Sequence, residues 1–183
     1  PIKTAEFKNL RTVTDGCFDE CNLEKTYLNT VSAVYDLPDQ GFAVISPYMI
    51  TLDIAENDNC VMYVFNGTTA HKKAEELGLN YIVLTDETTF VTNAPKVITD
   101  ATQPITVEYI GLNSKCVWYG LNSKDYNNDD TKRSVATGNT LVPSDSSWPY
   151  YCCVITNTFG DTSYSFKSIY ILNREYKYYY PIN

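Results

Sequence analysis

The chain has 183 residues, with 14 Lys and Arg against 22 Asp and Glu, a net charge of −8. That balance argues against a nucleic-acid partner, since every phosphate would be met by repulsion. Val, Ile and Thr total 47 and Tyr 16, against 21 for Ala and Leu together, so the composition suits pleated sheets better than helices. No apolar run approaches the roughly 18 residues of a membrane helix, so no membrane span is expected.

In chain order, residues 7–14 and 26–37 read as strands bracketing the acidic loop Cys17-Phe-Asp-Glu-Cys21-Asn-Leu-Glu24. Apolar runs of strand length follow at 42–46, 49–55, 61–65 and 81–85. Asp39-Gln-Gly41, Glu56-Asn-Asp-Asn59 and Asn66-Gly67 punctuate them as turns. Ala70-His-Lys-Lys-Ala-Glu-Glu-Leu77 predicts a two-turn helix stopped by Gly78. The run after that helix admits a βαβ unit, so a mixed α/β first half is the alternative. Short strands at nearly even spacing favour an all-β sandwich.

Two segments read alike. Ile50-Thr-Leu-Asp-Ile54, Cys60-Val-Met-Tyr63 and Asn66 match Ile105-Thr-Val-Glu-Tyr109, Cys116-Val-Trp-Tyr119 and Asn122 with a one-residue gap. Each copy runs on to a late strand ending in Thr-Asn, at Thr92-Asn93 and Thr156-Asn157. A repeat of this size is a small domain. The expected division is an N-terminal extension over 1–41, one β-domain over 42–101 and another over 102–183, with 99–103 as the linker.

Cys17, Cys21, Cys60, Cys116, Cys152 and Cys153 form an even set without zinc-ligand spacing. With the sequon Asn66-Gly67-Thr68 and the Thr, Asn and Tyr richness, they point to an oxidising, extracellular or cell-surface setting. Six reduced, buried cysteines in a cytosolic protein are the alternative. Asn66 is the candidate glycosylation site. The chain opens at Pro1 without an initiator Met, as a processed form would.

Tyr151-Cys-Cys153-Val-Ile-Thr-Asn157-Thr-Phe-Gly160 resembles the F–G hairpin pattern Y-x-C-x-x-x-N-x-x-G of the immunoglobulin-like family. Val117-Trp118-Tyr119 looks like that family's strand C tryptophan. The resemblance is clearest over residues 104–173 and reaches 42–101 only through the internal repeat. It implies tandem immunoglobulin-like β-sandwiches, with Trp118 in the core near Cys153 and Tyr151 at the tyrosine-corner position. The sequence departs from the family in lacking a strand B cysteine, and Ser147 replaces the usual acidic residue before the tyrosine. On this mapping Cys116 and Cys153 face inward on neighbouring strands, where a bridge between them is reasonable, and Cys152 points outward. Cys60 would then pair with Cys17 or Cys21, leaving one of those two and Cys152 for an inter-domain bridge, an intermolecular bridge or a free thiol. A vicinal Cys152–Cys153 bridge is a rarer option.

Catalytic motifs are absent from the sequence: no G-x-S-x-G, P-loop or G-x-G-x-x-G occurs, and His71 is the one histidine, in a Lys/Glu-rich segment. The acidic pairs Asp19/Glu20, Glu75/Glu76 and Asp129/Asp130 read as solvated charges rather than as a glycosidase pair. Residues 15–20 and 125–130 offer clustered oxygens of the kind calcium takes, but a polar turn explains both as well. No enzyme activity, cofactor or metal is therefore expected. Tyr176, Tyr178, Tyr179 and Tyr180 are contact candidates, as a last strand or as a partner-seeking tail. The role expected is a non-enzymatic extracellular adhesion or structural protein that binds a protein partner or itself. One form of that role is a surface-fibre subunit joined head to tail by strand addition and disulfides. The alternatives are a monomeric recognition module on a cell surface or virion, and an accessory binding module of a secreted hydrolase.

Overall fold

A computed structural model describes residues 2–8, 10–29, 32–54, 59–92, 94–143 and 148–173. The described chain is mostly β, with one helix among its elements. It divides into two compact units. Unit 1 holds residues 1–89, 110–114 and 157–164; unit 2 holds 90–109, 115–156 and 165–183.

Unit 1 is built from β1 (Thr4–Phe7), β2 (Thr12–Val13), β3 (Lys25–Leu28), β4 (Ala33–Val34), β5 (Gly41–Ile45), β6 (Thr51–Leu52), β7 (Cys60–Val64), α1 (Thr69–Leu77) and β8 (Tyr81–Val83). One sheet runs β1-β3-β5-β7-β8 and a second runs β2-β4-β6. Every pairing in both is parallel. Strands of the two sheets alternate along the chain, so the backbone winds in coils that stack one on the next, a short parallel solenoid. The pleat sends alternate residues inward: Ala5 and Phe7, Leu28, Ala43 and Ile45, and Cys60, Met62 and Val64 pack in one core with Val13, Val34 and Leu52 of the smaller sheet.

Two local features hold the coils. Gly41 opens β5 at φ 79°, and a Cβ there would stand 2.3 Å from the Glu24 carbonyl oxygen, so only glycine lets adjacent coils approach this closely. In the last coil α1 replaces a strand of the smaller sheet. Thr68 caps it by accepting from the His71 N–H, and Gly78 closes it at φ 67°. Ala70 and Ala74 are its buried residues.

This corrects the sandwich expected over residues 42–101. The larger sheet crosses the expected border at residue 41 through the β3–β5 pairing, and β7-α1-β8 is the βαβ alternative. The physical reason lies in the connections. Parallel neighbours need a crossover, which the intervening second-sheet strands and α1 supply, where an antiparallel sandwich needs hairpins.

Unit 2 carries β9 (Val97–Ile98), β10 (Ile105–Thr106), β11 (Ser114–Leu121), β12 (Arg133–Thr137), β13 (Thr140–Leu141), β14 (Tyr150–Phe159) and β15 (Thr162–Leu172), the first residue of β11 and the joined ends of β14 and β15 being counted with unit 1. Its sheets are β12-β11-β14-β15-β9 and β10-β13. Thr156 and Thr158 face Ser165 and Ser163 at 3.0 and 3.2 Å, which fixes β14 and β15 as a hairpin about the Gly160 turn. Trp118, Tyr151, Cys116, Cys153, Ile155 and Tyr170 fill the core with Ile105, Val107 and Leu141. The Trp118 indole is fully buried, donates to the Gly138 carbonyl at 3.1 Å and lies 5.3 Å from the Tyr170 ring. Residues 99–103, expected as a linker, instead join β9 to β10 inside this unit. The internal repeat is likewise no structural repeat: Cys60 to Tyr63 lies in the parallel sheet and Cys116 to Tyr119 in the five-stranded sheet of unit 2.

Candidate functional site

The outward face of the larger sheet in unit 1 is ordered by the parallel register into two rows. Glu6, Tyr27, Val44, Tyr63 and Ile82 stand side by side across β1, β3, β5, β7 and β8. Thr4, Lys25, Phe42 and Val61 form the second row. Because parallel strands hold one register over the whole sheet, side chains from distant sequence positions line up without a gap. The Phe42 ring meets Tyr27 edge-on at 6.0 Å and Tyr63 at 5.3 Å. Val44, between the two tyrosines, is fully covered, while Tyr27, Phe42, Val61, Tyr63 and Ile82 stay half-buried. Burial raises the Tyr63 hydroxyl above the ordinary tyrosine pKa, so that hydroxyl stays protonated and uncharged at physiological pH. The charges of the two rows, Glu6 and Lys25, lie at the β1–β3 end.

A concave feature lies wholly in unit 2. A groove of about 430 Å³ opens between β9 and β10, lined by Val97, Ile98, Pro104, Ile105 and Thr106 with Asp100 beside them. Thr102 donates its N–H and hydroxyl to the Asp100 carboxylate, lowering that group's pKa below the ordinary value, the hydroxyl contributing most.

The loop with clustered acids after β11 has an internal explanation. Asp129 is buried, and its two oxygens accept the N–H groups of Asn122, Ser123 and Thr131 at 2.7–2.9 Å and the Thr131 hydroxyl. These donors, the Thr131 hydroxyl first, pull its pKa down to about 2 against the cost of desolvation. Asp125 likewise accepts from Asn127 and Asn128. The carboxylates thus bend their own loop. Among the described residues, no three His, Cys, Asp or Glu side chains gather as a metal set would.

The cysteines fall into three settings. Cys116 and Cys153 bring their sulfurs to 3.3 Å inside the unit 2 core. Cys152 does face the opposite side of the sheet, but it is fully buried there with Leu121 and Val154, beneath Tyr119, Tyr126 and Tyr150. In the folded chain Tyr119, Tyr126 and Tyr150 cover Cys152, so a bridge from it to another chain requires that cover to move. In unit 1, Cys60 is in the core, where burial pushes its thiol up to about 12; Cys21 packs partly against that core and Cys17 is exposed. His71 belongs to α1, where its ring accepts from the Gly67 N–H and lies 5.5 Å from Tyr81. Asn66 is exposed in the turn before α1, and Thr68 of its sequon is the helix cap. Trp118 and Tyr151 share one buried core. Tyr176, Tyr178, Tyr179 and Tyr180 lie outside the described residues.

The aromatic rows are not among the candidates the sequence singles out. The available signal is Phe7, Leu28 and Ile45, which share one inward register at spacings of roughly 20 residues, with the aromatics on the outward positions between. No known family, curated protein or solved structure matches the chain.

Proposed function

We propose that this chain is a non-catalytic extracellular binding protein of adhesive or structural role, in which the aromatic face of unit 1 takes a basic protein partner. Unit 2 in this reading is an immunoglobulin-like sandwich. The observation that carries the proposal is the pair of outward rows centred on Tyr27, Phe42 and Tyr63. Rigid Tyr and Phe rings give large amphipathic contact area at low entropic cost and are enriched in protein interfaces. Stacked coils offer such a surface as a continuous strip. The net charge of −8 favours a partner of opposite sign and speeds its approach. The immunoglobulin-like reading is supported by Trp118, Tyr151 and Cys153 in one core and by the β14–β15 hairpin at the motif that suggested it.

Fibre assembly by strand addition is a second reading, favoured by β12, an edge strand with Val135 exposed. It does not draw on Cys152 as a fastening.

The two readings separate in one experiment. Wild type and the triple variant Tyr27→Ser, Phe42→Ser, Tyr63→Ser are passed over a biosensor carrying purified extracellular proteins, acidic and basic, with native mass spectrometry alongside. Selective binding to a basic protein, weakened at least tenfold in the triple variant, is expected. Equal binding by wild type and variant, no binding to any basic protein, or a polymer series unaffected by the triple change would overturn the proposal.

A further inference from the structure

The structure assigns Cys116 and Cys153 as a native disulfide that ties β11 to β14 across the middle of the unit 2 sheet. These strands are neighbours, and their contacts run in opposite senses: Ser114 meets Asn157 at one end while Cys116 meets Cys153 further in. The sulfurs are already 3.3 Å apart and buried on the same core face as Trp118 and Tyr151. Small side-chain rotations bring such a pair to the roughly 2.05 Å of a covalent bridge, and opposed residues on antiparallel neighbours have the Cα spacing a bridge accepts.

The choice of partners is decided by the sheet. Cys152 is adjacent in sequence to Cys153 but packs with Leu121 and Val154 on the reverse face, so the pleat separates it from Cys116. Cys60, Cys21 and Cys17 all belong to unit 1.

The reaction is thiol–disulfide exchange with a small disulfide of the oxidised-glutathione class. The Cys116 thiolate attacks one sulfur of the oxidant, and the first small thiolate leaves. Cys153 then attacks the Cys116 sulfur of the mixed disulfide, expelling the second. The two protons from Cys116 and Cys153 end on the two released thiols, so two electrons pass from the protein to the oxidant. Cys116 is the better first attacker. It is the less deeply buried of the two, the hydrogen bond from Cys153 favours its thiolate, and the exchange takes place during folding, before the core closes over both sulfurs.

The whole chain is refolded from the reduced, unfolded state in excess oxidised glutathione, then unfolded again, alkylated without reduction and digested for peptide mapping. A peptide pair linked through Cys116 and Cys153 is expected, and it should persist in Cys152→Ala. Reduction of that bridge should lower Tm by about 10 °C. Six alkylated cysteines after oxidation, or Cys153 linked to any residue other than Cys116, would overturn the assignment. The mapping uses wild-type protein, so a Cys116→Ala variant that fails to fold does not affect it.

Discussion

Trp118 shows what one side chain contributes. Its indole is fully buried, hydrogen-bonded to Gly138 and packed on Tyr170. Trp118→Ala should therefore cost about 3–5 kcal/mol, read as a lowered denaturation midpoint with an unchanged slope. Asp129 contributes through charge. Its folded pKa of about 2 lies below the ordinary 3.8, so the hydrogen bonds to its ionised form stabilise the loop fully above about pH 4. That contribution is lost as the pH falls through 2. Amide resonances of Asn122, Ser123 and Thr131 should report an acid transition in that window, and Asp129→Asn should abolish it. Both residues stand out in the sequence, but their surroundings are not equally legible there. A tryptophan inside an apolar run reads as core, whereas clustered carboxylates look alike whether they bind an ion or bend their own backbone.

At the level of elements, the strands after residue 41 and the helix are largely legible in the sequence, whereas the runs read as single strands at 7–14 and 26–37 each span two short strands of different sheets, and the pairing is not legible. The runs at 42–46, 61–65 and 81–85 form β5, β7 and β8, and the helix ends at Gly78 as expected. Alternation of apolar and polar residues is the same in parallel and antiparallel strands, so periodicity alone does not distinguish a solenoid from a sandwich. The connecting strands β2, β4 and β6 are two residues long, too short to register as a repeating unit. Likeness between Thr- and Val-rich strands then suggests a duplication that the pairing does not contain. Gly41 tests the coil geometry. With φ 79° and the Glu24 carbonyl oxygen 2.3 Å from where an added methyl would stand, Gly41→Ala should destabilise unit 1 by about 2 kcal/mol or more. Thr68→Ala should cost about 1 kcal/mol by uncapping α1. Thermal melts followed by far-ultraviolet circular dichroism measure both.

For the whole molecule, the binding face depends on features that are separately ordinary. Tyr27, Phe42 and Tyr63 come from three coils and meet only because parallel strands keep one register. The net charge of −8 predicts that association with a basic partner slows several-fold between about 50 and 200 mM salt, while dissociation changes little, as stopped-flow mixing would show. The groove in unit 2 is the competing surface, being concave and of small-molecule size. Oxidative footprinting of the protein with its bound partner separates the two most directly. Protection of Tyr27, Phe42 and Tyr63 is expected, with the exposed Tyr35 and Tyr48 of unit 1 labelled as in the unbound protein; protection confined to Pro95, Val97 and Pro104, the exposed apolar lining of the groove, would contradict it.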